Sequence, residues 1–286
     1  MNMTAAAPIA AFVGTTPNIG TTAAAFAAAF RLAEATGKSV GYFCLNLKGA
    51  KLHRFIGVDE PDTTLDELHP ELRSQALTPD MLRRAMHRLP GQANLHALFG
   101  SMNRDQAEFV RPEDIHHLID TAARAFAFVV LDVGAYWDNA ATVCSVQRAG
   151  SRILVTTPAL SHFQEDGRRW IGQVSPLFQV TANQFDCLVV QYPWSNGGYD
   201  MRHICKELGA SPIGRLRLSE SMFGELDKGA YAEWLKLDRT GRLAMKEPAL
   251  TLLRRHRLQE AALPAHGRQP WFRKLLVRRS GGARTS

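Results

Sequence analysis

The sequence predicts a doubly wound α/β fold, a mostly parallel sheet flanked by helices, and three observations carry the prediction. Residues 9–13 are a short apolar run ending in a glycine and threonine turn, and residues 21–36 read as a long alanine-rich helix stopped by Gly37. A second apolar run, residues 39–45, follows at the spacing of a βαβ unit, which implies parallel pairing through a right-handed crossover. The same alternation of strand and helix patterns then continues for most of the chain, which places ligands at the carboxyl ends of the strands.

Taken in order, further strands are expected at residues 95–99, 128–131, 153–156, 187–191 and 213–216. Helical patterns lie between them at residues 79–88, 112–125, 162–174 and 201–208. After about Trp234 the alternation stops. Residues 1–245 are therefore expected to form one α/β domain, and residues 246–286 a basic, partly disordered tail with a short amphipathic segment. No internal repeat at solenoid spacing is present.

Composition excludes several function classes. With 286 residues, 45% hydrophobic and 21% charged, the chain buries a full core. Its first apolar stretch lacks a basic n-region and runs into a glycine turn, so no signal peptide is expected. Arg31 and Glu34 interrupt the longest alanine-rich run, which leaves no window long enough to span a membrane. Cys44, Cys144, Cys187 and Cys205 are scattered without a C-x-x-C pair, which fits reduced thiols in a cytoplasm rather than a zinc site or disulfide framework. The adjacent His116 and His117 have no partner at helical metal-binding spacing. Charge is concentrated at one end: residues 251–286 hold nine Arg or Lys against the single acid Glu260, a net of +8 in a chain whose total is +7. A polyanion is expected to meet this tail first.

The turn after the first strand is Gly14-Thr15-Thr16-Pro17-Asn18-Ile19-Gly20-Thr21-Thr22. In P-loop proteins such a turn wraps phosphate with backbone N–H groups, while a lysine reaches the terminal phosphates and a Ser or Thr binds magnesium. Gly20 and Thr22 stand at the second glycine and the magnesium-binding hydroxyl, but Thr15 replaces the first glycine and Thr21 the lysine. The same pattern also describes an ordinary βα connection.

The order of features over residues 8–235 resembles the MinD/ParA/CpaE family of deviant Walker ATPases. FVGTTPNIGTTAAAFAAAFRLA resembles the family's loop and first helix, and SVGYFCLNLKGAKLHRFIG its second strand and following connection. FAFVVLDVGAYWDNAA resembles the strand that carries an aspartate before the switch II turn, with Asp132 and Gly134 in place. RILVTTPALSHFQEDGRRW, CLVVQYPW and ELGASPIGRLRLSESMFGELDKGAYAEW resemble the later strands and closing segment. The resemblance implies an ATP and magnesium site formed by Gly14, Thr15, Asn18, Gly20, Thr21, Thr22, Asn46, Lys48, Asp132, Gly134 and Gln191, with Thr22 and Asp132 on the metal.

The departures fall where the chemistry belongs. The family's loop carries two lysines and this one has none; its second strand ends in two acids, where this chain has Cys44 and Asn46. A neutral amide orients water but cannot take its proton, so hydrolysis is expected to be slow even if ATP binds, and no catalytic residue is assigned. Gln191 stands where the family usually has Asn. Lys48, Lys51 and Arg54 beyond the second strand read either as replacement phosphate cations or as solvated loop charges. Asp132 has the alternative of a buried strand-end acid capping the next turn, and Asp138 reads either as an acid near the same site or as a plain helix cap.

In the tail, Trp271, Phe272, Leu275 and Leu276 share one side of a helical wheel, with Arg273, Lys274 and Arg278 outside it. MinD-like proteins hold anionic membrane with such a segment, which implies peripheral attachment at the inner face of the membrane. Arg254, Arg255 and Arg257 serve nucleic acid equally well, and a solvated tail is the third reading. The expectation is a degenerate member of this class, a cytoplasmic positioning or assembly factor with a protein partner and a possible homodimer. The CpaE-like version, tied to a pilus or secretion machine, is suggested by the long segment between Gly57 and Pro112. An active ParA-type partition ATPase and a nucleotide-independent scaffold are the alternatives.

Overall fold

The structure, a computed structural model, describes residues 7–193 and 198–259. Eight strands form one sheet: β1 (Ile9–Gly14), β2 (Val40–Cys44), β3 (His87–Arg88), β4 (Leu95–Leu98), β5 (Phe128–Asp132), β6 (Ser151–Thr156), β7 (Phe185–Gln191) and β8 (Ser211–Arg217). Their order is β3-β4-β2-β5-β1-β6-β7-β8. Every pairing is parallel except β3 with β4. The expected fold class is the one observed. β1 is central, aligned with β5 through Phe12 and Asp132 and with β6 through Gly14 and Val155. The crossover from β5 to β6 passes over β1, so the strand order reverses there and a crevice opens at its carboxyl end.

The helices are α1 (Thr21–Thr36), α2 (Leu52–Phe55), α3 (His69–Arg73), α4 (Pro79–Ala85), α5 (Pro112–Ala125), α6 (Ala140–Arg148), α7 (Met201–Leu208), α8 (Glu220–Asp227), α9 (Tyr231–Leu237) and α10 (Lys246–Arg255). On one face α1 lies against the sheet and is itself covered by α9 and α10, with Phe26, Tyr231, Trp234 and Leu252 in a common core. All its residues are buried except Thr22, Glu34 and Ala35, which is why its sequence is mostly alanine: small side chains let a helix pack on several sides at once. Gly20 and Gly37 flank it in the left-handed conformation, at φ 94° and 63°. The opposite face is covered by α5, α6 and α7, through Ile115, Leu118, Val146 and Ile204.

Three expectations change. The helix expected over residues 79–88 ends at Ala85, because His87 and Arg88 pair antiparallel with the exposed edge of β4. The one expected over residues 162–174 is wound with π turns at Ser161–Gly167 and Trp170–Val174. The boundary expected at residue 245 falls ahead of α10, whose Ala249, Leu252 and Leu253 are buried against α1. Arg255, read as a free tail cation, forms a two-pronged ion pair with Asp186, which is 4% exposed; one of its two bonds measures 2.8 Å. The packed unit therefore runs through α10. Trp271, Phe272, Arg273, Lys274, Leu275, Leu276 and Arg278 lie outside the described residues. Among the described residues, no helix is long and apolar enough to cross a membrane.

Candidate functional site

The turn after β1 has two halves with different bonding. Its first half is tied down. The Gly14 amide donates to the Gly134 carbonyl at 2.6 Å and the Thr15 amide to the Val155 carbonyl at 2.9 Å. Trp137 Nε1 donates to the Gly14 carbonyl at 3.2 Å and Trp170 Nε1 to the Thr15 carbonyl at 2.8 Å. The two indoles stack, 5.5 Å apart and within 3° of parallel. Thr15 is buried, its hydroxyl bonded to Thr156, and the Thr16 hydroxyl is held by Asp166 at 2.7 Å. Sequence reasoning missed both tryptophans; their indole N–H groups in segments following β5 and β6 were the available signal.

The second half is open. Asn18 and Gly20 both have positive φ, 62° and 94°, and swing the chain into α1. No side chain caps α1 and its first turn holds no acid. A 16-residue helix therefore presents its first amides and positive dipole end to the cleft with no acid of its own in that turn. Thr21, in the lysine position, is nearly buried, and its Oγ1 sits 2.6 Å from where a Cβ on Gly14 would project. Only glycine at position 14 lets the turn close on itself this tightly.

At the end of β5, Asp132 is fully buried. It accepts from the Tyr42 hydroxyl at 2.8 Å and from the Gly134 amide at 3.4 Å, and it is hydrogen-bonded to the Thr22 side chain. Burial pushes its carboxyl above the usual carboxylate range, against the pull of those hydrogen bonds. Cys44 is buried beside it, and burial together with that carboxylate drives its thiol well up, so it is no base or nucleophile.

Asn46 lies on the cleft wall. Its Nδ2 donates to the Gly49 carbonyl at 3.3 Å, while its buried Oδ1 has no hydrogen-bond partner. The carboxamide packs on Gly134, at φ 69°, within 2.7 to 2.9 Å of where a Cβ would stand. Lys48 has an 18% exposed side chain whose ammonium sits 2.8 Å from Asp138 and 5.5 Å over the Tyr136 ring. That contact holds the Asp138 carboxyl below its usual range. Lys51 and Arg104 are exposed on the same rim.

These groups enclose a cleft of about 370 Å³. Asn18, Gly20, Thr21, Thr22, Asn46, Lys48 and Gly134 all line it. Its lining continues to Tyr192, Leu218, Phe223, Leu226 and Asp227, a more apolar set that sequence reasoning did not single out. The Tyr192 hydroxyl donates to the Asn18 carbonyl at 3.2 Å. Gly14, Thr15, Asp132 and Gln191 are not on the cleft surface: the first three stand behind the turn, and Gln191 ends β7 beside Arg217. The residues fit a phosphate at the uncapped helix start; for a divalent cation in the cleft only Thr22 of the expected metal pair lines the surface, and the buried Asp132 carboxylate stands behind it, hydrogen-bonded to Thr22.

No family model matches the sequence, and no curated protein matches it. Solved structures do match in fold. A ParA family ATPase from Chlorobium tepidum TLS superposes with a TM-score of 0.73 at 17% identity, over 86% of this chain and 98% of its own. MinD from Pyrococcus horikoshii OT3, complexed with Mg-ADP, gives 0.67 at 18%, over 86% and 96%. The MinC:MinD cell division complex of Aquifex aeolicus gives 0.68 at 15%, over 91% and 100%. The chain has the fold of the ParA and MinD ATPases.

Proposed function

We propose that this chain, which carries the ParA and MinD fold, binds adenine nucleotide weakly in the cleft, hydrolyses it slowly or not at all, and acts as a positioning or assembly factor through protein contacts. One observation carries the reading. The cleft joins an uncapped helix start and the Thr22–Asp132 pair to an apolar, aromatic end, while the end of β2 offers only a buried thiol and a carboxamide.

In this reading the amides of Gly20, Thr21 and Thr22 hold phosphate, and Tyr192 and Phe223 flank the base. Thr22 would hold magnesium from the cleft side, with the buried Asp132 carboxylate fixing the Thr22 hydroxyl from behind, and the ion would supply neutralisation of phosphate charge. Asn46, the polar side chain that follows β2 on the cleft wall, is a carboxamide with no capacity to remove a proton from water, so binding outlasts turnover. The aligned MinD proteins are described with Mg-ADP and with MinC. Those descriptions support nucleotide and a protein partner as the classes to test here.

The test is titration of the full-length protein with a fluorescent ATP analogue, with and without magnesium, comparing wild type with Thr22→Ala and Asp132→Ala. Saturable, magnesium-dependent binding that both changes weaken is expected. No binding at millimolar nucleotide would leave the fold as a nucleotide-independent scaffold; turnover at the rate of a working ATPase would point to a partition-type enzyme.

A further inference from the structure

A P-loop without lysine leaves the terminal phosphates without a cation, and the turn after β2 holds one in the same cleft. That turn is built to aim a side chain. Leu45 and Leu47 are buried, and the Leu45 amide donates to the Asp132 carbonyl at 2.7 Å. The Gly49 amide reaches the Asn46 carbonyl at 3.4 Å while Asn46 Nδ2 returns to the Gly49 carbonyl at 3.3 Å, so the turn is closed from both sides with Lys48 at its tip. The Lys48 stem is covered, its ammonium rests over Tyr136, and one contact satisfies it: Asp138 at 2.8 Å.

Asp138 is 64% exposed at its side chain. A pair that open to water shifts an equilibrium by about fivefold at most, because both charges keep much of their hydration. A di- or triphosphate at the start of α1 offers several anionic oxygens in a less hydrated place, and an ammonium has three donors to give. Lys51 and Arg104, the other cations on the rim, are exposed and more fully hydrated.

We propose that Lys48 is the phosphate-neutralising cation of this protein, relocated from the loop to the turn after β2 and held by Asp138 until a nucleotide polyphosphate displaces that carboxylate. The inference rests on the nucleotide reading above and adds the residue that makes the site selective for di- and triphosphates. It also gives the site an output. Asp138 immediately precedes Asn139, the residue that caps α6 by accepting from the Thr142 amide at 3.0 Å. The same connection is tied to the loop through Gly134 and Trp137, so losing its lysine alters a segment that already touches both sides of the site.

The experiment is calorimetric titration of the full-length protein with Mg-ATP and separately with adenosine, for wild type, Lys48→Gln, Lys48→Arg, Asp138→Asn and the Lys48→Gln/Asp138→Asn pair. Lys48→Gln is expected to weaken ATP about 10- to 100-fold, the range of a charge-assisted hydrogen bond, and to leave adenosine unchanged. Lys48→Arg keeps ATP within a few-fold, which separates charge from folding damage. Asp138→Asn tightens ATP by about fivefold or less, and that gain vanishes in the double variant. Unchanged ATP affinity in Lys48→Gln, or an equal loss for adenosine, overturns the assignment while nucleotide binding itself stands. A wild type that binds neither ligand overturns both.

Discussion

Arg31 sits in the middle of the alanine-rich α1, yet its side chain is 3% exposed. Its guanidinium serves the far end of the layer above. Nε donates to the Ala244 carbonyl at 3.1 Å, and one Nη donates to the Leu235 and Gly241 carbonyls at 2.5 and 2.7 Å. The other reaches Glu34 at 2.6 Å, which is 53% exposed. The three carbonyls are those of Leu235 near the C-terminal end of α9, of Gly241 at the start of the 3₁₀ turn Gly241–Leu243, and of Ala244, which follows that turn. Arg31→Met keeps the length and apolar volume but removes every donor. Breaking one side of a buried charged network costs about 3–5 kcal/mol, since the remaining groups stay desolvated. At about 2–4 °C per kcal/mol for a domain approaching this size, melting falls by roughly 6–20 °C. Glu34→Ala, at the hydrated end of the same network, costs no more than about 1 kcal/mol. Urea unfolding followed by circular dichroism measures both, and an unchanged denaturant slope shows that the midpoint shift is a loss of stability. A loss below about 1 kcal/mol for Arg31→Met would mean that the carbonyls find other donors and that the arginine does not hold the turn.

Two further expectations follow from the structure. Gly134→Ala places a Cβ within 2.9 Å of the Asn46 carboxamide on a backbone at φ 69°, so it should cost about 1–2 kcal/mol from the left-handed conformation, plus the displacement of Asn46. Adding Asn46→Ala should recover the second part and not the first, and full recovery would show that backbone strain is absent. Burial holds His53, His87, His96 and His256 below the ordinary imidazole value of 6.5, with nearby Arg54, Arg88 and Arg255 adding to it for the first, third and fourth. The unfolded chain then binds protons that the folded chain refuses. The stability that these four histidines contribute is full above pH 6.5 and is lost as pH falls through it towards the folded values. Urea midpoints at pH 7.5 and 5.5 check this, and an equal or higher midpoint at 5.5 refutes it.

The parts of the site closest in sequence were legible there. Gly20, Thr21 and Thr22 follow β1 directly, and strand, turn and helix are set by local pattern, so their meeting at the start of α1 needed no tertiary information. Asp132 was legible as a strand-end acid. Its bonds to Tyr42 and Thr22 depend on β2 and β1 lying on either side of β5. The Trp137–Trp170 stack joins residues 33 positions apart in sequence, one following β5 and the other following β6, over the turn after β1. Their indole N–H groups in the segments following β5 and β6 were the one linear signal, and it does not say which carbonyls they meet.

The sequence by itself determined the alternation of strand and helix, the parallel crossover, a loop after β1 without lysine and an end of β2 without carboxylates at Cys44 and Asn46. These depend on residue type and spacing alone. Only the tertiary structure decided which charges are spent inside the fold. Arg31 read as a polar break in an apolar run, and it became a buried clamp because α9 supplies carbonyls at that height. Arg255 read as a tail cation, and Asp186 at the start of β7 holds it. Lys48 read as a loop charge with two possible fates, and its enclosure over Tyr136 beside Asp138 came from packing the turn after β2 against the connection after β5. A charge takes its role from the desolvation and partners around it, and those are set by which elements become neighbours in the folded chain.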